Sequence, residues 1–341
     1  VLLEIAELIE HLGQEFTGSA DRGPPAQQHA AYPARVETAT ERRLGLGIDF
    51  GGTGIKAALL DLDTGELVSR RIRYDTPHPS TPNSVSATIA RIVDAIAKDQ
   101  AIPDGIPVGM GIPGVIKTGV VLTAANIDKG WIGSSANDIV GKALGRPVYA
   151  MNDADAAAVA EVRLGAARDA RGTVLLLTVG TGIGSGLILN GELVPNTEFG
   201  HIELNGKDAE SRVSGAARER RRLHWKTWAL EFNEYIARLE AYLWPDLIIL
   251  GGGVSKVIDK YRASLKSRAP ILPAQFRNTS GIIGAALNAG DLMRSSRAAR
   301  LAAGQGSSEA ARDAAAPYMS PAASMASPVT LVIAADPTTT A

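Results

Sequence analysis

Two short glycine turns carry the first chemical signal. In Asp49-Phe50-Gly51-Gly52-Thr53-Gly54-Ile55-Lys56 an acidic residue closes an apolar run, and Gly51, Gly52 and Gly54 follow it. Glycine lets backbone amides crowd a phosphate with no side chain in the way, and Thr53 adds a hydroxyl donor. Lys56 supplies a positive charge to that phosphate, unless it lies on the next strand facing solvent. An ordinary tight hairpin explains a single such turn equally well, and the GxxxxGK[ST] spacing of a Walker loop is missing. The device recurs, however, in Thr178-Val179-Gly180-Thr181-Gly182-Ile183-Gly184-Ser185-Gly186. Two such turns can close on a polyphosphate chain from two sides and present amides where charge develops.

Asp153 follows an apolar strand and opens an alanine-rich helix in Met151-Asn152-Asp153-Ala154. A carboxylate there either caps the helix or takes the proton from an attacking hydroxyl. Glu198-Phe199-Gly200-His201-Ile202-Glu203 gathers acceptors and a ring nitrogen of the kind that match sugar hydroxyls. The Glu198/His201 spacing also suits a metal, but no cysteine or further histidine stands nearby. A third glycine run, Gly251-Gly252-Gly253, joins the strand LIIL to a following helix, where it binds an anion or a flat ring, or merely packs closely. Arg218, Arg220, Arg221, Arg222 and Lys226 surround His224 as either a landing strip for a polyanion or a solvated helix face.

These groups need a scaffold, and the chain outlines one. Strand-like runs alternate with helical patterns from about Leu44 to Met293, as in α/β folds. Strands are expected at Gly45–Asp49, Ile55–Leu62, Leu67–Tyr74, Val108–Ile112, Val148–Met151, Val174–Val179, Gly186–Leu189 and Leu247–Leu250. Helices are expected at Ser84–Asp99, Asp153–Leu164, Trp225–Trp244, Lys256–Arg268 and Ile282–Met293. The stretch GTGI, apolar residues and the turn DTGELV are echoed by GTGI, apolar residues and NGELV, which reads as a duplicated domain rather than a solenoid.

With 341 residues the chain exceeds what one core usually holds, so two domains are expected. The 35 basic and 36 acidic side chains leave a net charge of -1, with no global pull toward nucleic acid or membrane. Absence of cysteine removes disulfides, thiolate metal sites and cysteine nucleophiles, and is compatible with a reducing cytoplasm. The opening VLLEIAELIEHLG carries Glu4, Glu7 and Glu10 and does not read as a secretory signal, and no apolar run reaches a membrane-spanning length. The Gly/Pro/Gln-rich stretch from Thr17 to Glu41 reads as a flexible leader. The Ala/Ser/Pro-rich tail beyond Ser295 reads as poorly ordered, with Val329–Ala334 a candidate final strand.

From about Gly45 to Gly290 the chain resembles the ROK family of sugar kinases, and within it the polyphosphate/ATP glucokinase, or glucomannokinase, branch. The resemblance is carried by both glycine turns, GMGIPG, AMNDADAAA, EFGHIEL with GKDAESRVS, and LGGGVS, in that order. It implies an actin/hexokinase-like (ribonuclease H-like) duplicated two-domain α/β fold with a central cleft. The expected small domain is 44–151 plus about 282–294, and the large one 152–281, between a leader at 1–43 and a tail at 295–341. It implies transfer to the 6-hydroxyl of glucose, or of mannose, with Asp153 as base and sugar contacts from Asn126, Asn152, Asp153, Glu198, His201 and the GIPG loop. A further glutamate contact falls on Glu210, with Glu203 in reserve. The donor, polyphosphate and/or ATP, would lie along Gly51, Gly52, Thr53, Gly54 and Lys56 and along Gly180, Thr181, Gly182 and Gly184. A nucleotide base would lie near Gly251, Gly252 and Gly253, and Mg2+ would bridge donor phosphates beside Asp49. GKDAESRVS replaces the cysteine-rich zinc motif of many family members, so no zinc is expected. A cytoplasmic homodimer acting on small molecules, with neither nucleic acid nor membrane as partner, is the family expectation. A ROK-type transcriptional regulator is the alternative, although the leader offers too little for a helix-turn-helix. A catalytically idle sugar sensor is a third reading.

Overall fold

The computed structural model describes residues 42–305. The expected flexible leader up to 41, the tail beyond 305 and the candidate strand at 329–334 lie outside the described residues. Within them, two five-stranded sheets share one plan. In the first, β1 (Leu44–Phe50), β2 (Gly54–Asp61) and β3 (Ile72–Asp75) run antiparallel, and β4 (Val108–Ile112) and β7 (Tyr149–Asn152) add in parallel on the far side of β1. Between β4 and β7 lie a small hairpin of β5 (Ile116–Lys117) and β6 (Val120–Val121) and a helix at Ala136–Leu144. In the second sheet β8 (Thr173–Val179), β9 (Ile183–Leu189) and β10 (Glu192–Val194) are antiparallel, and β13 (Leu247–Gly251) and β14 (Ile271–Pro273) complete the parallel side. The sequence echo is thus a real duplication of strand order, and the α/β fold class stands. A second small hairpin, β11 (Glu203–Leu204) with β12 (Lys207–Asp208), lies outside both sheets.

The helices follow in chain order as α1 (Pro82–Asp99), α2 (Ala136–Leu144), α3 (Asp153–Arg163), α4 (Ala209–Val213), α5 (Gly215–Arg220), α6 (Trp225–Leu243), α7 (Gly252–Ser255) and α8 (Ser280–Gln305). Thr81 caps α1 by accepting from the amide of Ser84, and Val85, Ile89, Ile92 and Ile96 recur at helical spacing on its buried face. That face covers Phe50 and Ile55 of the first sheet. Each such large side chain, taken out of water, contributes about 1.5–3 kcal/mol. The second sheet buries an aromatic cluster instead: Trp228 stacks on Phe232 at 4.7 Å and meets Tyr261 edge-on at 5.0 Å.

Alternation of large residues with glycine in β1 (LGLGI) and β4 (VGMGI) explains how α8 reaches the first sheet. A Cβ on Gly47 would strike the carbonyl of Ile282, and one on Gly109 that of Ala285, so the helix backbone lies directly on the strands. On its other side Gly284 meets Ala156 of α3 at backbone distance. The Asn190-Gly191 pair forms the expected hairpin turn, with φ of 51° and 87°.

Three expectations are corrected. The strand expected at Leu67–Tyr74 forms only as Ile72–Asp75, with Leu67 in an isolated bridge to Leu60. Lys256–Arg268 is not a helix but two 3-10 turns, Ile258–Lys260 and Arg262–Ser264. Its apolar spacing is helical, yet its backbone groups are satisfied by α6: Asn233 bonds the carbonyl of Ser264 and the amide of Lys266, and Glu240 accepts from the amides of Arg268 and Ala269. Nor does order end near Ser295, because α8 continues to Gln305.

Candidate active site

Asp153 stands at the first position of α3, and the helix does not need it as a cap. Asn152 does that work: its Oδ1 accepts from the amides of Ala154 (2.8 Å) and Asp155 (2.9 Å), while its Nδ2 donates to the Gly114 carbonyl at 3.0 Å. The Asp153 carboxylate is left with one bond from the Ala154 amide and faces a cavity of about 600 Å³. Burial pushes its pKa up to about 7, with the negative charges of Asp49 and Glu198 adding to the rise and the Ala154 bond opposing it.

The cavity joins both glycine turns. Gly52 of the first lines it beside Asn126, and Gly180, Thr181, Gly182 and Gly184 line the opposite side. Each turn is closed by its own first glycine: the Gly51 amide donates to the Gly54 carbonyl (3.1 Å), the Gly180 amide to that of Gly182 (2.9 Å). Thr53, Gly54 and Lys56 stand outside the lining, as does Asp49. Lys56 lies on β2, as the alternative reading had it, but it turns to Asp49, with Nζ 2.7 Å from Oδ2. Gly252 reaches the cavity, whereas Gly251 and Gly253 flank it. The turn packs so closely on β8 that a Cβ on Gly252 would strike the backbone of Val179.

The acceptor cluster gathers on the remaining wall. Glu198, His201 and Glu210 all line the cavity. His201 Nδ1 lies 2.7 Å from Asp208 Oδ2 and its Nε2 3.8 Å from Glu198. The hydrogen bond to Asp208 holds the imidazole above its ordinary pKa, with the charges of Asp208, Glu210 and Glu198 helping, and burial raises Glu198. Glu210 Oε2 accepts the Ile183 amide at 2.7 Å, which plants this carboxylate on the second glycine turn. The reserve candidate Glu203 is exposed on β11, paired across from Asp208, and stands away from the lining.

Residue patterns did not single out Asp155 and Asn196. Asp155 is 2% exposed; its Oδ2 accepts the Asn196 amide at 2.7 Å and its Oδ1 has no partner. Burial also pushes this pKa up to about 7, with the Asn196 bond opposing and the charges of Asp153 and Glu198 adding. Asn196, at φ 61°, bonds both the amide (2.8 Å) and the carbonyl (2.9 Å) of Ile116 across the cleft. A usable signal existed for Asp155, a second carboxylate two residues after Asp153 in the alanine-rich first turns of the helix.

The arginine cluster is largely consumed by its own surroundings. Arg221 makes a two-pronged pair with Glu231 at 2.6 and 2.8 Å, Arg220 donates to the Ser211 carbonyl, and Arg218 lies 3.8 Å over the Trp225 ring. Among the described residues no group of three His, Cys, Asp or Glu side chains could hold a metal. Mg2+ asks less, since it keeps its waters and phosphate oxygens with one or two carboxylates. Asp49, with one oxygen engaged by Lys56, fits that smaller demand.

Residues 45–219 match the model of the ROK family. The chain belongs to that family. Among ROK relatives, a polyphosphate glucokinase of Mycobacterium tuberculosis is 48% identical over 258 residues, 75% of this chain and 95% of that protein. One from Mycobacterium leprae is 44% identical over 75% of this chain and 77% of its own. The crystal structure of an inorganic polyphosphate/ATP-glucomannokinase from Arthrobacter sp. strain KM superposes with a TM-score of 0.71 at 46% identity, covering 73% of this chain and 99% of its own. A ROK glucokinase from Streptomyces griseus, in complex with glucose and AMPPNP, gives 0.61 at 28% identity over 74% and 99%.

Proposed function

We propose that this ROK chain transfers the terminal phosphoryl group of inorganic polyphosphate or ATP to the 6-hydroxyl of glucose, and of its epimer mannose. The observation that carries the reading is a carboxylate with a pKa pushed up to about 7, facing one cavity with two glycine turns and the Glu198/His201/Glu210 wall. Relatives of 44–48% identity over three quarters of the chain bear the name polyphosphate glucokinase, which supports it.

Sugar hydroxyls pair with Glu198, His201, Glu210 and Asn126, and with the remaining Nδ2 hydrogen of Asn152. That pairing brings the 6-hydroxyl to Asp153, which takes its proton as the oxygen attacks the terminal phosphorus and the bond to the leaving phosphate breaks. The amides of Gly52 and Thr53 and of Thr181 and Gly182 hold the donor oxygens on which negative charge collects, those of Gly51, Gly180 and Ile183 being engaged within the turns. A nucleotide base would rest near Gly251 to Gly253. Mg2+ beside Asp49 would neutralise donor phosphates.

Two lobes, 44–151 with about 282–294 and 152–281, close over the sugar and exclude water. The family resemblance supports a cytoplasmic homodimer with small-molecule partners, and light scattering measures the oligomer directly. Among the described residues no helix is long and apolar enough to cross a membrane.

The test is purified protein with glucose, mannose and other hexoses, each offered ATP and polyphosphate, with hexose 6-phosphate as the readout. Transfer from either donor to glucose is expected. Transfer from neither sinks the kinase reading.

A further inference from the structure

We propose that the outer edge of the first sheet is a docking strip for an extended polyphosphate chain, formed by Arg73, Arg71 and Arg277 in succession from the first glycine turn. The inference rests on the polyphosphate-donor reading above. Its origin is a cross-strand register. Asp49 stands opposite Lys56, and Lys56 opposite Arg73, so the three side chains form one row on one face of β1, β2 and β3. The row ends on β3, the edge strand of this sheet among the described residues.

Arg73 begins the strip. Its Nη2 donates to the Thr53 carbonyl at 3.1 Å, which lays the guanidinium against the glycine turn itself. Its other arm pairs with Asp75, a carboxylate 85% exposed, at 2.7 Å. An ion pair that open contributes little and yields readily to a phosphate, which offers several acceptor oxygens and more charge. Arg71 comes two residues earlier along the chain, just before the start of β3, and is exposed. Its Nη1 lies 3.5 Å from the Asn278 carbonyl, which brings in the neighbouring Arg277, exposed and held at φ 51°. Among the described residues neither Arg71 nor Arg277 has a carboxylate within ion-pair distance, and Asp49 and Asp75 are the acids of the row, engaged by Lys56 and Arg73.

The arginine cluster at 218–222 lies elsewhere, and there Arg221, Arg220 and Arg218 are engaged by Glu231, the Ser211 carbonyl and the Trp225 ring. Arg71 and Arg277 are both exposed. Donor length decides who uses the strip. A nucleoside triphosphate ends within the reach of the two glycine turns, and a long polymer continues past Thr53 onto Arg73, Arg71 and Arg277. The strip therefore sets the preference for long chains without touching the transferring phosphate.

The test uses Arg71→Glu/Arg277→Glu, which leaves the Arg73–Thr53 bond intact, with Arg220→Glu/Arg222→Glu as the surface control. Binding of labelled long-chain polyphosphate is measured without sugar, and KM is measured for long-chain polyphosphate, tripolyphosphate and ATP. Expected for the strip variant is about tenfold weaker polymer binding, equivalent to ~1.4 kcal/mol, with a matching rise in polymer KM. A shallower salt dependence of polymer binding is expected too, and unchanged values for ATP and tripolyphosphate. Undiminished polymer binding, or an equal loss with all three donors, overturns the strip. Wild type that binds the polymer through the strip but transfers only from ATP overturns the donor reading and leaves the strip standing. Wild type that does not bind the polymer overturns both.

Discussion

Asp153 and Asn152 divide between them two jobs that either residue type could do. Both have short side chains able to cap α3, and only the hydrogen bonds assign the cap to Asn152 and free its neighbour. A freed, half-buried carboxylate with its pKa pushed up to about 7 makes a definite pH signature. The ionised form is the base, so kcat/KM should rise with pH and level off above about 7. Asp153→Asn should cost about 10²–10⁴-fold in kcat with sugar binding retained, and retained turnover would remove this residue from the role. Stability moves the opposite way. A folded-state pKa raised above the ordinary carboxyl value of 3.8 contributes stability at low pH that is lost as pH rises through about 7. Asp153→Asn should therefore melt above wild type by a margin that grows from about pH 4 to pH 7, readable by calorimetry; a margin that shrinks would contradict the burial. His201 offers a second check. Asp208→Asn should lower the imidazole pKa, seen by NMR titration, because the hydrogen bond to the carboxylate is its largest support.

Elements were legible where their period was local. The Val108–Ile112 strand, the start of α3 at Asp153 and the Asn190-Gly191 turn follow from residue patterns alone. The 256–268 segment was not legible, since Asn233 and Glu240, on another helix, supply the bonds its own backbone would otherwise make. The site splits on the same line. Gly52 of the first glycine turn, the second turn, Asp153, Glu198, His201 and Glu210 all reach one cavity. The Asp155–Asn196–Ile116 chain is not legible in the sequence, because it exists only when a loop of the second half meets a hairpin of the first. This chain sets the loop that carries Glu198. Asn196→Gly keeps the left-handed backbone but deletes both bonds to Ile116, each worth about 0.5–1.5 kcal/mol. Sugar KM should rise about tenfold with kcat changing less, and an unaltered KM would show that the loop holds itself.

At the scale of the whole molecule, the two sheets meet through α3 and α8, which cross where Gly284 abuts the Ala156 backbone. Gly284→Val should cost at least the ~1–3 kcal/mol of an overpacked core, visible as a lower denaturation midpoint; a variant as stable as wild type would mean the helices are free to separate. Ligands that draw the halves together should act in the reverse direction. Saturation with glucose at about a hundred times its Kd adds ~2.7 kcal/mol to the unfolding free energy. The crossing also has a genetic consequence. Gly47, Gly109 and Gly284 all meet a main-chain carbonyl first, Gly47 the Ile282 side chain as well, so no compensating side-chain change in a partner residue can make room for a larger one. In a saturation library these codons should tolerate almost nothing and show no second-site suppressors, whereas losses at a side-chain contact such as Arg163–Asp291 should be recoverable by a partner's mutation.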